Sequence, residues 1–172
     1  CDFVADAYNY ECEKCHSRDF AYVGYGTERV VEDLKLIFKD ASIGRLDGEI
    51  SKKKGAYKKV IDAFRNREID ILVGTEMIAK GHDFPYVTLS VALLADQELG
   101  FPNYRANEET FSLLTQLIGR SGRKDREGRA LIQTYSKDNE TLKLVKAQDY
   151  EAFYLEEMEN RRARLYPPYT YL

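Results

Sequence analysis

Short runs of β-branched and apolar residues alternate with amphipathic stretches from residue 20 to residue 134. This alternation is typical of βαβ units, and it predicts an α/β fold with a doubly wound parallel sheet. The predicted strands are Phe20–Val23, Ser42–Leu46, Asp70–Val73, Thr88–Leu94 and Arg129–Thr134. The predicted helices are Thr27–Phe38, Ser51–Asn66 and Glu108–Gly119.

Two finer expectations follow from the residue types. Thr27 and Ser51 are suited to N-capping and are expected to begin the first two helices. Ile71–Val73 and Val87–Leu94 are apolar nearly throughout, so we expect inner strands that helices cover on both faces.

The two flanks differ from this central region. Residues 1–18 hold all three cysteines and have no usable period, which predicts a small loop-rich element. The main domain is expected at 19–148, and 149–172 is expected to be a helical connection to a further domain. That helix must end at Pro167-Pro168. Its large apolar residues fall on one side: Tyr150, Phe153, Tyr154 and Met158.

Length and charge restrict the classes of protein to which the chain can belong. A chain of 172 residues holds one main domain, whereas two lobes of ~150 residues each would not fit. It has no apolar run of ~18 residues and no signal peptide, so no membrane is expected. It begins without Met, and we expect a piece of a longer protein.

A net charge of −3 argues against nucleic-acid binding by bulk electrostatics, so any DNA contact must be local. The basic runs at Lys52-Lys53-Lys54, Lys58-Lys59 and Arg161-Arg162 are interpreted first as solvated helix faces.

One motif ends the third predicted helix, Gln116-Leu117-Ile118-Gly119-Arg120-Ser121-Gly122-Arg123. Its two arginines are three residues apart and can present two guanidinium groups to one anion, such as a γ-phosphate. A Gly/Arg-rich surface turn is the alternative.

A second motif follows the strand predicted at Asp70–Val73. The strand runs into Gly74-Thr75, where backbone N–H groups and a hydroxyl can hold a phosphate, and another turn follows at Gly81-His82-Asp83.

Together these motifs resemble motifs V and VI of superfamily 2 helicases. The pattern G-T-x-M-x-A-K-G-x-D-F-P-x-V-T-L, which begins at Gly74, resembles the primosomal protein N′ (PriA) family of replication-restart DNA helicases. Further matches are Gly24–Glu28, Arg45–Asp47 ahead of Lys54-Gly55, and Pro167-Pro168. The resemblance covers nearly the whole chain and implies the second RecA-like lobe of such a helicase.

The resemblance also implies site residues. ATP with Mg²⁺ would lie between this lobe and a first lobe that carries the phosphate-binding loop, because no G-x-x-x-x-G-K-[ST] motif occurs here. Arg123 would be the arginine finger, Arg120 its partner and Gln116 a coupling residue. Nucleotide contacts would also come from Gly81 and Asp83.

The residues that hold DNA phosphates would be Gly26, Thr27, Gly74 and Thr75. Simpler interpretations remain: Asp83 as a turn former, Thr27 as a cap only, and His82 as an exposed loop residue.

Cys12 and Cys15 have the C-x-x-C spacing of a zinc site, and Cys1 lies upstream. Three ligands do not close a structural site, and His16 is poorly placed as the fourth. The resemblance implies eight cysteines that bind two zinc ions in an interleaved way, with Cys1 at a different zinc from the other two. A redox-neutral or disulfide-forming pair is the alternative.

The implied function is an ATP-dependent 3′ to 5′ DNA helicase of the bacterial cytoplasm, associated with the nucleoid. Its implied partners are single-stranded and forked DNA, primosome proteins and single-strand-binding proteins. Another superfamily 2 translocase and a non-catalytic DNA- or partner-binding module are the rival hypotheses. His16, Gly48-Glu49 and Glu109 depart from the family pattern, whereas the two helicase motifs are intact.

Overall fold

The computed structural model describes residues 11, 16–18, 26–52, 55–81, 84–122 and 127–170. The helices in this part are α1 (Thr27–Ile37), α2 (Gly48–Ser51), α3 (Ala56–Arg65), α4 (Asp96–Leu99), α5 (Ala106–Ile118), α6 (Glu140–Ala147) and α7 (Tyr150–Ala163). The strands are β1 (Ile43–Leu46), β2 (Ile71–Gly74), β3 (Leu89–Ala92) and β4 (Arg129–Ile132), and a 3₁₀ turn occupies Glu76–Ile78.

The strands form two parallel pairs, β1 with β2 and β3 with β4. The prediction of an α/β fold with parallel strands is therefore confirmed. Each observed strand has four residues and overlaps a predicted one, with bounds that differ by up to two residues. The fifth predicted strand, Phe20–Val23, lies outside the described residues.

Two apolar clusters hold the described elements together. One packs α5, α6 and α7 beside β3 and β4, and the rings of Phe111 and Phe153 stack in it at 4.1 Å between centroids. Its buried members are Ala95, Phe111, Leu114, Leu142, Val145 and Phe153. The other lies at β1 and α3 and is built on Leu46, Ile61 and Phe84. Both clusters keep the strand ends in fixed positions, which matters for the loops that follow them.

The expectation that helices cover Val87–Leu94 on both faces is wrong. On β3 and just beyond it, Leu89, Val91 and Leu93 are 45% to 50% exposed, and Leu131 on β4 beside Val91 is 56% exposed. Ser90, which points to the α5 side, is buried. The apolar run correctly indicated a strand with two apolar faces. It could not show whether an element of this chain covers the second face.

The predicted helix Ser51–Asn66 is also wrong as a single element. Gly55 has φ +80°, in the left-handed region that side chains rarely adopt, and it separates α2 from α3. Ser51 is the last residue of α2 rather than a cap, and Asp47 is the N-cap. Similarly, Thr27 is the first residue of α1 and Gly26 is its N-cap.

The C-terminal helix is confirmed as α7, which ends at Ala163, before Pro167-Pro168. Its predicted apolar side is only partly buried, since Phe153 is buried while Tyr150 and Tyr154 are 67% and 49% exposed. The guanidinium of Arg161 holds the end of α7 in place. It pairs with Glu157 on α7 and Glu108 on α5, and it donates to the carbonyl of Pro167.

Candidate nucleic-acid and nucleotide interface

The carboxyl ends of β1 and β2 lie side by side. Leu46 is paired with Gly74, so Asp47 and Thr75 leave the sheet next to each other. Gly74 permits this close approach, because a Cβ at this position would collide with the Leu46 carbonyl oxygen. Loops at the carboxyl ends of parallel strands are where open α/β sheets bind ligands. The predicted phosphate contacts Gly74 and Thr75 therefore lie at the appropriate edge.

Asp47 connects this edge to the beginning of α1. Its carboxylate accepts a 2.6 Å hydrogen bond from the Thr27 hydroxyl, and it also accepts from Nε of Arg45 and from the backbone N–H groups of Glu49 and Ile50. The hydrogen bonds from Thr27 and Arg45 hold the pKa of Asp47 far below its ordinary value. This network places Thr27 at the same sheet edge as Thr75.

The role of Asp47 was missed by the sequence reasoning. In the sequence alone, Arg45-Leu46-Asp47 stands out only as a match to the family pattern. Its spacing is nevertheless a usable signal. A strand-ending Asp that follows a buried Leu is a good N-cap for the next helix. An Arg two residues earlier lies on the same face of the strand and can pair with it.

The two threonines at this edge differ in what they offer a ligand. The Thr27 hydroxyl gives its proton to Asp47. Thr75 is exposed, and its hydroxyl has no hydrogen-bond partner in the part of the chain that the structure describes. Thr75 is therefore the better side-chain donor to a phosphate. Thr27 can offer its backbone N–H at the beginning of α1, where Gly26 supplies no capping side chain.

Replacing Asp47 by Asn is expected to lower the unfolding free energy of the chain by about 2 kcal/mol at pH 7, since hydrogen bonds to a charged group are lost. The folded pKa of Asp47 lies below its ordinary value of 3.8. The stabilisation is therefore present above about pH 4 and is lost as the pH falls further. Urea unfolding at pH 7, 5 and 3 should show a gap between wild type and variant that narrows only at pH 3. Asp62→Asn, at an exposed carboxylate 3.7 Å from Arg65, is the control. A gap that is equal at all three pH values would contradict the assignment.

Arg120 and Gly81 are close to each other. Nε of Arg120 donates a 3.1 Å hydrogen bond to the carbonyl of Ala79, two residues before Gly81, and so ties the end of α5 to the loop that follows β2. Gly81 is exposed and has φ +80°, which favours glycine. The Arg120 cation therefore lies beside the loop that contains Gly81. This arrangement fits the phosphate groups of a nucleotide.

Two hydrogen bonds hold described residues of the arginine motif. Gln116 donates from Nε2 to Ser112 Oγ at 3.0 Å, one turn earlier on α5. The Gly122 N–H donates to the carbonyl of Val87 at 3.2 Å, which fixes the segment after α5 against the beginning of β3. The other predicted nucleotide residues, Asp83 and Arg123, lie outside the described residues, as does His82.

The predicted zinc ligands Cys1, Cys12 and Cys15 also lie outside the described residues, and zinc binding stays a prediction. His16 is described, and its Nδ1 lies 3.1 Å from the Glu11 carboxylate. Across the described ranges, no group of three or more His, Cys, Asp or Glu residues is arranged to hold a metal ion. The same ranges contain no helix that is long and apolar enough to cross a membrane.

Comparison with known proteins defines the class. The family profile described as "Helicase conserved C-terminal domain" matches residues 11–125, and the chain belongs to this family. Its fold is similar to the C-terminal domain of the DEAD-box protein Dbp5. The TM-score is 0.51 at 22% identity, over 74% of this chain and 67% of that one. The helicase-lobe fold expected from the motifs is thus confirmed.

Within this class, the chain is similar to replication restart protein PriA from several bacteria. It is 46% identical to PriA of Bacillus subtilis (strain 168) over 94% of the chain and 20% of that protein. The identity is 44% to the Chlamydia muridarum protein and 35% to the Haemophilus influenzae protein, each over 94% of the chain and 22% of the relative. The resemblance to the primosomal protein N′ (PriA) family is confirmed. The chain spans about a fifth of the length of these relatives.

Proposed function

We propose that this chain is the second motor lobe of an ATP-dependent DNA helicase that moves 3′ to 5′ along single-stranded DNA and acts in replication restart. The observation that carries the proposal is the shared sheet edge. There Thr27 and Thr75 are held together through Asp47 and paired strands, and one loop leads from Thr75 to the carbonyl that Arg120 holds.

ATP would bind between this lobe and the first lobe of the longer protein, and its hydrolysis supplies the free energy for movement. Arg120 and Arg123 add positive charge beside the γ-phosphate, where it stabilises the charge of the transition state. Gly81 and Asp83 complete the nucleotide contacts. Gln116, four residues before Arg120, would couple the nucleotide site to the interface between the two lobes. In the longer protein, zinc held by cysteines that include Cys1, Cys12 and Cys15 would order the segment before the lobe.

The link between ATP and DNA is short. Thr75 and Ala79 are four residues apart, with the 3₁₀ turn Glu76–Ile78 between them. A shift of Arg120 toward a phosphate would act on the Ala79 carbonyl that it holds, and the 3₁₀ turn would carry that displacement to Thr75. Such a turn transmits motion well because backbone hydrogen bonds from Ile78 to Thr75 and from Ala79 to Glu76 stiffen it.

The DNA partners of this proposal are the phosphates of single-stranded and forked DNA, held by Gly26, Thr27, Gly74 and Thr75. The net charge of −3 makes these local contacts more important than overall attraction. Primosome proteins and single-strand-binding proteins are further proposed partners, on the strength of the similarity to PriA.

Replacing Thr75 by Ala in the full-length protein is expected to raise the DNA concentration for half-maximal ATPase stimulation roughly tenfold, since one hydrogen bond to a charged phosphate is lost. ATP affinity without DNA should stay unchanged. ATP hydrolysis titrated with oligothymidine measures both quantities. Thr88→Ala is the matched control. Thr88 is exposed and directly precedes β3, so it lies at the amino end of a strand, whereas Thr75 follows the carboxyl end of β2. An unchanged stimulation curve for Thr75→Ala would contradict the phosphate contact.

A further inference from the structure

Arg45 lies at the end of β1 and pairs with three carboxylates through three different nitrogens. Nε faces Asp47, Nη1 lies 3.1 Å from Glu28 of α1, and Nη2 lies 2.8 Å from Glu49 of α2. The three partners differ in exposure. The Asp47 side chain is 9% exposed, whereas those of Glu28 and Glu49 are 75% and 82% exposed. One partner therefore orients the guanidinium from inside, and two cover it from solvent.

The four side chains of this cluster together carry a net negative charge. One guanidinium faces three carboxylates, directly beside the Gly26-Thr27 turn that is proposed to hold a DNA phosphate. A phosphate approaching that turn would meet Glu28 and Glu49 first and would be repelled. The position of Arg45 is thus at odds with phosphate binding unless the two outer carboxylates move away.

The outer two ion pairs are suited to exchange. Pairs between exposed, flexible side chains contribute little to stability, and salt screens them. The pair with Asp47 differs, because Asp47 is buried and is held by three further hydrogen bonds. Loss of Glu28 and Glu49 would leave Arg45 in place with Nη1 and Nη2 directed outward. This edge of a guanidinium matches a phosphate group in a two-point contact.

We propose that Arg45 is a DNA-phosphate anchor that Glu28 and Glu49 cover in the free protein and that a backbone phosphate of single-stranded DNA uncovers. The anchor rests on the proposed function, because it adds a contact to the same edge. Asp47 is its positioning residue, and the two glutamates are competitors of the phosphate. Their competition keeps the edge closed to weakly bound anions and makes DNA binding dependent on a properly placed phosphate.

The test is a double-mutant cycle in the full-length protein, with oligothymidine affinity measured by fluorescence anisotropy across a salt series. Glu28→Gln and Glu49→Gln should each tighten binding roughly threefold, since a competitor is removed. Arg45→Gln should weaken binding about tenfold and lower the salt slope by about one. In the Arg45→Gln background, the gain from either glutamate change should disappear.

The other possible results of this cycle would overturn the anchor. Gains that persist in the Arg45→Gln background would show simple charge repulsion and overturn the anchor, as would no gain at all. Arg45→Lys is the second variant if Arg45→Gln unfolds; it keeps the charge and should weaken binding severalfold with an unchanged salt slope. Wild-type affinity for Arg45→Lys would also overturn the anchor. Glu151→Gln is the matched control, since Glu151 lies in the first turn of α7 as Glu28 does in α1.

Two further measurements distinguish a DNA anchor at Arg45 from a nucleotide contact, and failure of the anchor from failure of the proposed function. ATP affinity should be the same in all variants, and a change in ATP rather than DNA affinity would assign the phosphate to the nucleotide and overturn the DNA anchor. If Thr75→Ala weakens DNA stimulation while the Arg45 cycle is additive, the anchor fails and the proposed function stands. If the wild-type protein does not respond to DNA, the proposed function itself fails.

Discussion

Replacing Arg123 by Ala in the full-length protein is expected to lower DNA-stimulated ATP turnover by about 10³-fold, with only a modest change in nucleotide affinity. An arginine finger acts on the charge that develops as the γ-phosphate leaves, so its loss raises the barrier more than it weakens the ground state. Steady-state kcat and KM for ATP at saturating DNA, together with equilibrium binding of a non-hydrolysable ATP analogue, give the two quantities separately.

The control for this prediction is Arg65→Ala. Arg65 is an exposed arginine at the end of α3, paired at 3.7 Å with Asp62, and its removal should leave both quantities unchanged. If Arg123→Ala weakens analogue binding as much as it slows turnover, Arg123 holds the ground state and is not the finger. Unchanged turnover would move the finger to another residue, with Arg120 the first to examine because it contacts the loop that contains Gly81.

Replacing Gly74 by Ala is expected to destabilise the chain by about 3 kcal/mol, at the upper end of the usual cost of forcing an extra methyl group into a packed site. The new Cβ would collide with the backbone carbonyl of Leu46 and approach Cγ2 of Ile78 to 2.9 Å. The Leu46 carbonyl cannot yield easily, because it belongs to the backbone of a paired strand and the Leu46 side chain is fully buried. Urea unfolding of the chain measures the difference.

Gly48→Ala is the matched control for Gly74→Ala. Gly48 begins α2, and a Cβ there would meet nothing within 4 Å. Its unfolding midpoint should stay close to that of the wild type. Equal midpoints for both variants would show that β1 and β2 do not approach as closely at their carboxyl ends, and the juxtaposition of Asp47 and Thr75 would lose its basis.

The strands of this fold were readable from the sequence where short apolar runs end in glycine or polar residues. Ile71-Leu72-Val73 ahead of Gly74 is the clearest case, and β2 follows it closely. The division of the helix after Ser51 was not readable. Gly55 stands inside the predicted helix, and it adopts the left-handed conformation directly before α3. A single backbone conformation leaves no trace in a hydrophobic period.

The candidate site was predictable in part for a similar reason. Thr75 and Arg120 belong to contiguous motifs, so the pattern alone singled them out. Asp47 gains its role from donors on α1, β1 and α2, and its separation of 20 positions from Thr27 conceals that contact. The cover of Arg45 by Glu28 and Glu49 is likewise a product of the fold. The sequence motifs indicated the candidate ligand contacts, and they did not show the side chains that hold those candidates in place.

Hydrogen exchange of the full-length protein with and without oligothymidine tests the central claim most directly. The first-turn N–H groups of α1 lack the hydrogen bonds of a helix interior, so a bound phosphate should slow their exchange. A phosphate held by Gly74 and Thr75 should also slow exchange in the turn after β2, because it restrains the local opening of that turn. The account predicts slower exchange in peptides that cover residues 26–30 and 74–80. It predicts no change in peptides that cover 40–42 and 66–70, at the opposite edge of the same strands. Slower exchange at that opposite edge, with residues 26–30 and 74–80 unaffected by DNA, would contradict it.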